Sequence, residues 1–421
     1  MEPNQEFPYW KRNLVLAWIS QFFVLAGFAA AMTFIPLFFQ DHLGIESENE
    51  RGIYVSMFNF FGVLGYAVFC PLWGSLSDRF GVKIMLLRGS FVTAIFFPMM
   101  AFVTAPWQLI TLRLVTAALA GTTAACHILL AKGTPDDKQG FAQGSLTAAV
   151  CAGSLVGNMV GGFFVDFYGY TFTFVACGVL YVLSGIFCLF MKEKKIVRVQ
   201  GESAYVKKIR NYRKSPMPQF TIGVWLMLLL YSLSSLVGYL SVPYVAMMIE
   251  LIDTTGRPAY WTGIICSISS VCALFSGLIF GYLADHVKPK YLIIPVLSVI
   301  GLCLIIRGVA DSLFVFGLFS AFASLVGSGL APLNLKTLAA ATPPRKRGAV
   351  FGWSATFSNS GNMLSTVISG WIVFTFGTKY TYIISGICMF LMIPITMYIY
   401  YRIMHQPYFL AHAEKVFNKK K

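Results

Sequence analysis

The chain has 421 residues, of which 57% are hydrophobic and 12% charged, and its mean hydropathy is +0.70. A soluble domain carries about 25% charged residues, so this composition excludes an ordinary water-soluble fold and points to a polytopic membrane protein. The formal net charge of +15 falls mostly between apolar runs, which marks membrane topology and argues against a nucleic-acid surface.

A helix needs about 20 apolar residues to cross a bilayer. Twelve runs qualify, at approximately 13–39, 52–73, 83–104, 107–131, 143–166, 171–191, 219–248, 261–284, 290–310, 313–341, 348–375 and 379–402. The first is too long for the apolar core of a signal peptide, so it is read as a retained helix. Lys and Arg concentrate in alternate connections, and that asymmetry places both termini in the cytoplasm. Arg51, Arg257, Arg307 and Lys379 are the few bases on the other side. The one long polar connection follows the sixth run. The expected organisation is a six-helix bundle over 1–191, a basic cytoplasmic linker over 192–218, a second bundle over 219–402 and a cytoplasmic tail over 403–421.

The two halves repeat each other. At one constant offset, Pro36, Gly74, Leu76 and Asp78 meet Pro243, Gly281, Leu283 and Asp285. One residue further along, Gly144, Gly153, Gly162, Gly169 and Gly178 meet Gly352, Gly361, Gly370, Gly377 and Gly386. Such a register implies two pseudo-symmetric six-helix bundles, an all-α integral membrane protein.

Between the second and third runs lies GSLSDRFGVK, residues 74–83, with a degenerate copy, GYLADHVKPK, at 281–290. Gly74, Asp78, Arg79, Gly81 and Lys83 resemble the signature of the major facilitator superfamily. GSLVGNMVGG at 153–162 resembles the glycine-rich fifth-helix motif of its proton-coupled antiporters through Gly153, Gly157, Gly161 and Gly162, with Asn158 where that motif has Pro. LITLRLVTAALAG resembles their fourth-helix motif, with Arg113 in place. Within that superfamily the likeness is to twelve-helix bacterial drug:proton antiporters. The resemblance implies alternating access, a proton gradient as energy source, no cofactor, a small-molecule substrate and a monomer in the bacterial inner membrane.

Each motif also carries a physical reading. The 74–83 block is expected as a tight loop permitted by its two glycines. Asp78 is expected there as a helix cap or, as the resemblance implies, as a latch between halves, with Arg79 and Lys83 facing Asp136 or Asp137. Glycines at every fourth position make a smooth stripe for close helix packing. An Arg at position 113 lies within the membrane and is costly unless it snorkels or faces a cavity or partner. His127 is the histidine that lies within an apolar run. With Gln21, Asn334, Lys336, Tyr231 and Tyr239 it completes the candidate cavity set. An aromatic cavity suits flat hydrophobic molecules.

Three functions fit these residues. The first is proton-coupled efflux of hydrophobic compounds. The second is carriage of an anionic metabolite or siderophore, since the intramembrane charges are basic. The third is a transport-dead sensor or amphiphile flippase. No phosphate-binding loop, metal-ligand cluster or nucleophile elbow is evident, so no enzyme is expected.

Overall fold

The computed structural model describes residues 9–135, 138–193, 221–287, 289–330, 333–334, 337–338, 342 and 347–404. The side chains of Asp78 and Arg79 are not among those described, and Asp136, Asp137, Lys336, most of the expected linker and the tail from 405 fall outside the described residues. Within them the protein is helical.

The N-terminal half comprises α1 (Trp10–Met32), α2 (Ile35–Asp41), α3 (Glu48–Phe80), α4 (Val82–Met100), α5 (Pro106–Leu119), α6 (Thr122–Gly133) and α7 (Gln139–Leu189). The C-terminal half comprises α8 (Ile222–Tyr239), a short 3₁₀ turn (Val242–Tyr244), α9 (Val245–Ile252), α10 (Pro258–His286), α11 (Pro289–Gly308), α12 (Leu313–Gly327), α13 (Arg347–Phe376) and α14 (Thr378–Met404). Among the described residues, nine helical stretches are long and apolar enough to cross a membrane. The stretch over Gln139–Leu189 turns at Gly169, whose φ of 80° is available to glycine without strain, and so provides two crossings. Large apolar side chains stand far out on the helix surfaces, among them Phe314 at 76% and Phe102 at 70% exposure. A hydrocarbon surrounding accepts such side chains without cost.

Helix packing repeats between halves. In the first, α1 and α4 pack on α7 and α3 packs on α5. In the second, α8 packs on α13, α11 on α14 and α10 on α12. The halves meet along α7 against α10 and α3 against α13. We call the end holding residues 9–13, 81–83 and 192–193 the linker end, and the opposite one, holding 41–48, the far end.

Local chemistry explains three departures from the sequence reading. The first run breaks at Thr33–Phe34, because Pro36 lacks the N–H that would bond back to the preceding turn. The fourth run breaks at Ala120–Gly121, where Gly121 has φ 108°. The carbonyls freed there are held by Trp73 Nε1, 2.6 Å from Ala118 O, and by an Arg88 Nη2, 3.0 Å from Ala120 O. Arg88 lies flat on the Trp73 ring at 3.3 Å, so both donors are placed by stacking.

The third departure concerns GSLSDRFGVK, which is not a loop. Helix α3 continues through Phe80, and Gly81, with φ 95°, is the single turning residue. Gly74 is helical, with nothing near its absent Cβ, so it makes no turn. Asp78 and Arg79 belong to the last turn of α3 and not to a loop.

Candidate functional site

Arg113 projects from α5 towards the middle of the molecule. Its guanidinium lies 5.3 Å from the Phe28 ring of α1 and 5.4 Å from the Phe58 ring of α3. A Cβ on Gly62 of α3 would meet Arg113 Nε at 2.6 Å, so that glycine makes room for the side chain. Nε is sealed from solvent and has no hydrogen-bond partner. Tyr181 of α7 and Tyr239 of α8 lie within electrostatic reach of the charge. A cation between aromatic faces, with an unused donor and a tyrosine from the opposite half, is an arrangement that can bind an anion, a carbonyl or a π-face. The guanidinium does not snorkel to the surface.

The other candidate residues divide into separate groups. His127 Nδ1 meets Gln143 Oε1, and Gln143 Nε2 donates to the His127 carbonyl at 3.1 Å, so this histidine is engaged with α7. Gln21 is fully buried and neither atom of its amide has a partner. Asn334 is buried and accepts from Tyr400 Oη at 3.2 Å. Together with Tyr231, it lines a cavity of about 390 Å³ inside the C-terminal half. Arg113 and Tyr239 are therefore brought together, Tyr231 and Asn334 share a second place, and Gln21 and His127 stand apart from both.

The glycine motif works by backbone contact. A Cβ at Gly153 or Gly161 would fall 2.5 Å from Phe22 O or Ala30 Cα of α1, and one at Gly157 would collide with the Ala26 backbone. Gly162 faces the other half, where its Cβ would lie 2.5 Å from Ala259 O of α10. Asn158, at the position where the motif has proline, keeps α7 helical there and accepts a 2.7 Å hydrogen bond from Thr33 Oγ1 at the break in the first run.

At the linker end the turn after α3 is held by an acid that sequence reading missed. Glu193 accepts from Val82 N at 2.8 Å and Lys83 N at 3.0 Å, capping α4 where the helix dipole favours negative charge. Lys83 Nζ donates to Leu189 O at 2.6 Å. Glu193 lies just past the sixth run, amid the basic connection, and nothing in its neighbours marks it as a cap.

At the far end, polar contacts join the halves. Arg51 and Glu250 form an ion pair of 2.9 Å, with Arg51 buried. Glu48 accepts from Thr378 N at 2.6 Å and Asp166 from Tyr260 N at 2.7 Å, each capping a helix of the other half. Tyr244 Oη donates to Gly52 O at 3.3 Å, and Ser56 Oγ donates to Thr366 O. Arg51 and Arg307, read from sequence as flanking charges, both turn inward.

These features define a membrane transporter built from two helical bundles around a charged aromatic centre. The sequence profile of the Major Facilitator Superfamily matches residues 17–306 and 262–420. The chain belongs to that superfamily. Multidrug resistance protein MdtG of Escherichia fergusonii is 27% identical over 378 residues, covering 90% of this chain and 91% of that one. The protein of the same name from Citrobacter koseri is 27% identical over 392 residues, covering 93% and 95%. Among solved structures, a D-xylose–proton symporter superposes with TM-score 0.72 at 15% identity, covering 90% of this chain and 96% of that one. The nucleoside transporter NupG superposes with TM-score 0.71 at 14% identity, covering 92% and 99%. At those identities the likeness is one of fold.

Proposed function

We propose that this protein is a proton-coupled exporter of hydrophobic small molecules, working by alternating access in a bacterial inner membrane with both termini cytoplasmic. The observation that carries the reading is the Arg113 guanidinium between Phe28 and Phe58, within electrostatic reach of Tyr239 from the other half. Aromatic walls accept flat apolar molecules, and a cation with an unused donor adds one polar anchor. Similarity to MdtG multidrug resistance proteins over nine-tenths of the chain supports the multidrug class. On this reading the far end faces outward and is closed by the Arg51–Glu250 pair. The block at Gly74, Asp78, Arg79, Gly81 and Lys83, with Asp136 and Asp137, acts as the opposing latch.

The test is transport in liposomes under an imposed pH gradient with a fluorescent lipophilic dye. Dye movement that needs the gradient and is lost in Arg113→Ala supports the proposal. Gradient-driven movement that survives Arg113→Ala sinks the role given to Arg113. A second reading, carriage of an anionic metabolite, draws on the positive sign of the buried centre. Counterflow of a carboxylate without dye movement would favour it.

A further inference from the structure

A cavity of about 390 Å³ lies in the C-terminal half. Corresponding positions of the two halves differ beside it. Gly178 of α7 packs against Pro98 and the Ala94 carbonyl of α4, and Gly386 of α14 packs against Ile305 and the Gly301 carbonyl of α11. That register sets Arg307 on Met100, Tyr382 on Phe174 and Phe316 on Leu109. In the N-terminal half Met100, Leu109 and Phe174 are all buried and form solid apolar core. In the C-terminal half the methionine's place is taken by an arginine, and beside it the core opens.

The guanidinium of Arg307 lies 4.8 Å from both the Phe316 and Tyr382 rings. Arg307 is half-buried and its Nε is sealed off without a hydrogen-bond partner, as is the hydroxyl of Tyr231. Packing between two rings would account for a cation resting there. It does not account for a donor left unused beside an open chamber that Arg307 itself lines, because a buried polar group is costly until something accepts from it. The chamber is amphipathic: Tyr231, Ser328 and Asn334 contribute polar groups, and Ile300, Leu304 and Met389 contribute apolar wall. Among its described lining residues none is acidic. Its volume falls in the range of about 300–1,000 Å³ typical of small-molecule sites.

We infer that the C-terminal bundle holds a binding site of its own for a small amphipathic carboxylate, whose anionic head meets Arg307 and whose apolar body lies along Ile300, Leu304 and Met389. The site is distinct from Arg113 and does not depend on proton coupling.

The test uses the full chain in nanodiscs of zwitterionic lipid with no pH gradient. The probes are 2-naphthoate and its uncharged isostere 2-naphthamide. The expected result is naphthoate binding about tenfold tighter than the amide, as one charge-assisted contact supplies. Arg307→Met, which installs the residue the first half uses, is expected to bring the two within about twofold. Gly327→Phe fills the chamber from a position whose Cβ makes ordinary contact with Ile300, and is expected to remove binding of both probes. Equal binding of the two probes by the parent protein overturns the inference, and so does an undiminished preference in Arg307→Met. Should that variant not fold, Gly327→Phe decides alone, since naphthoate binding that survives it places the anion elsewhere.

Discussion

An Arg51 Nη2 stands 2.9 Å from Glu250 Oε2, joining α3 of one half to α9 of the other, with side-chain exposures of 3% and 21%. Two charges that far from water hold each other in place, and neither is easily left alone. Removing one partner of a buried pair costs about 3–5 kcal/mol, because the remaining charge stays buried unpaired. Glu250 is partly exposed, so the lower end of that range applies. Arg51→Ala is expected to loosen the far end. Cysteines placed beside Gly52 should then label faster with a membrane-impermeant thiol reagent. The reversed pair, Arg51→Glu with Glu250→Arg, should slow that labelling again. Equal rates in parent and single variant would show that the pair does not hold the halves.

Glycine positions in α7 separate by what lies against them. Gly157 abuts the Ala26 backbone, while Gly144 has nothing within 4 Å of its absent Cβ. Gly157→Ala must push α1 away and is expected to lower the melting temperature of the purified protein, or to prevent its recovery. Gly144→Ala adds only helix propensity and should stabilise by about 0.5–1 kcal/mol. Thermal unfolding of the two variants side by side checks both directions.

Gly121 turns the chain with φ 108° between α5 and α6. Any side chain there adopts an unfavourable backbone geometry, at a cost of about 1–2 kcal/mol. Gly121→Ala should therefore destabilise although nothing lies within 4 Å of its Cβ. Arg88→Met removes one holder of the freed carbonyls and should destabilise too. The two effects should fall short of additive, since both act on one break. Melting temperatures of the single and double variants measure that coupling.

Glu193 caps α4 through two backbone N–H groups. Glu193→Ala is expected to cost about 1 kcal/mol, the usual value of a cap. Hydrogen exchange read at Val82 and Lys83 should rise in that variant while exchange in α10 stays unchanged.

The helices and their repeat were legible because lipid imposes long apolar runs and duplication leaves glycines in register. Arg113 was legible for a related reason, since a charge inside such a run demands a partner. The break at Gly121 was not, because a Gly within an apolar run looks the same whether it packs or turns. The block at 74–83 misled for the opposite reason: its polarity looks like a loop, yet a helix that protrudes beyond the apolar layer is polar too. Arg307 was hidden by its position near the end of its run, where it passed for a flanking charge. Setting it against Met100 would have exposed it. Glu193, Arg51 and Glu250 act through contacts between segments distant in sequence, which no local pattern records.

The two crossings between halves are built alike. Gly162 lies against Ala259 and Gly263, and Gly370 lies against Gly52 and Ser56. At the first, main chain lies on main chain; at the second, the small side chain of Ser56 lies against Gly370 and Val373 lies against Gly52, so both helix pairs approach closely over small residues. A pair of such crossings resists separation of the bundles but offers small resistance to a few degrees of turning. The resistance that remains resides in polar contacts such as Glu48 with Thr378 and Asp166 with Tyr260, which water can replace one at a time. On the proposed transport cycle, turning about these two close crossings would exchange one entrance for the other without parting the bundles to lipid.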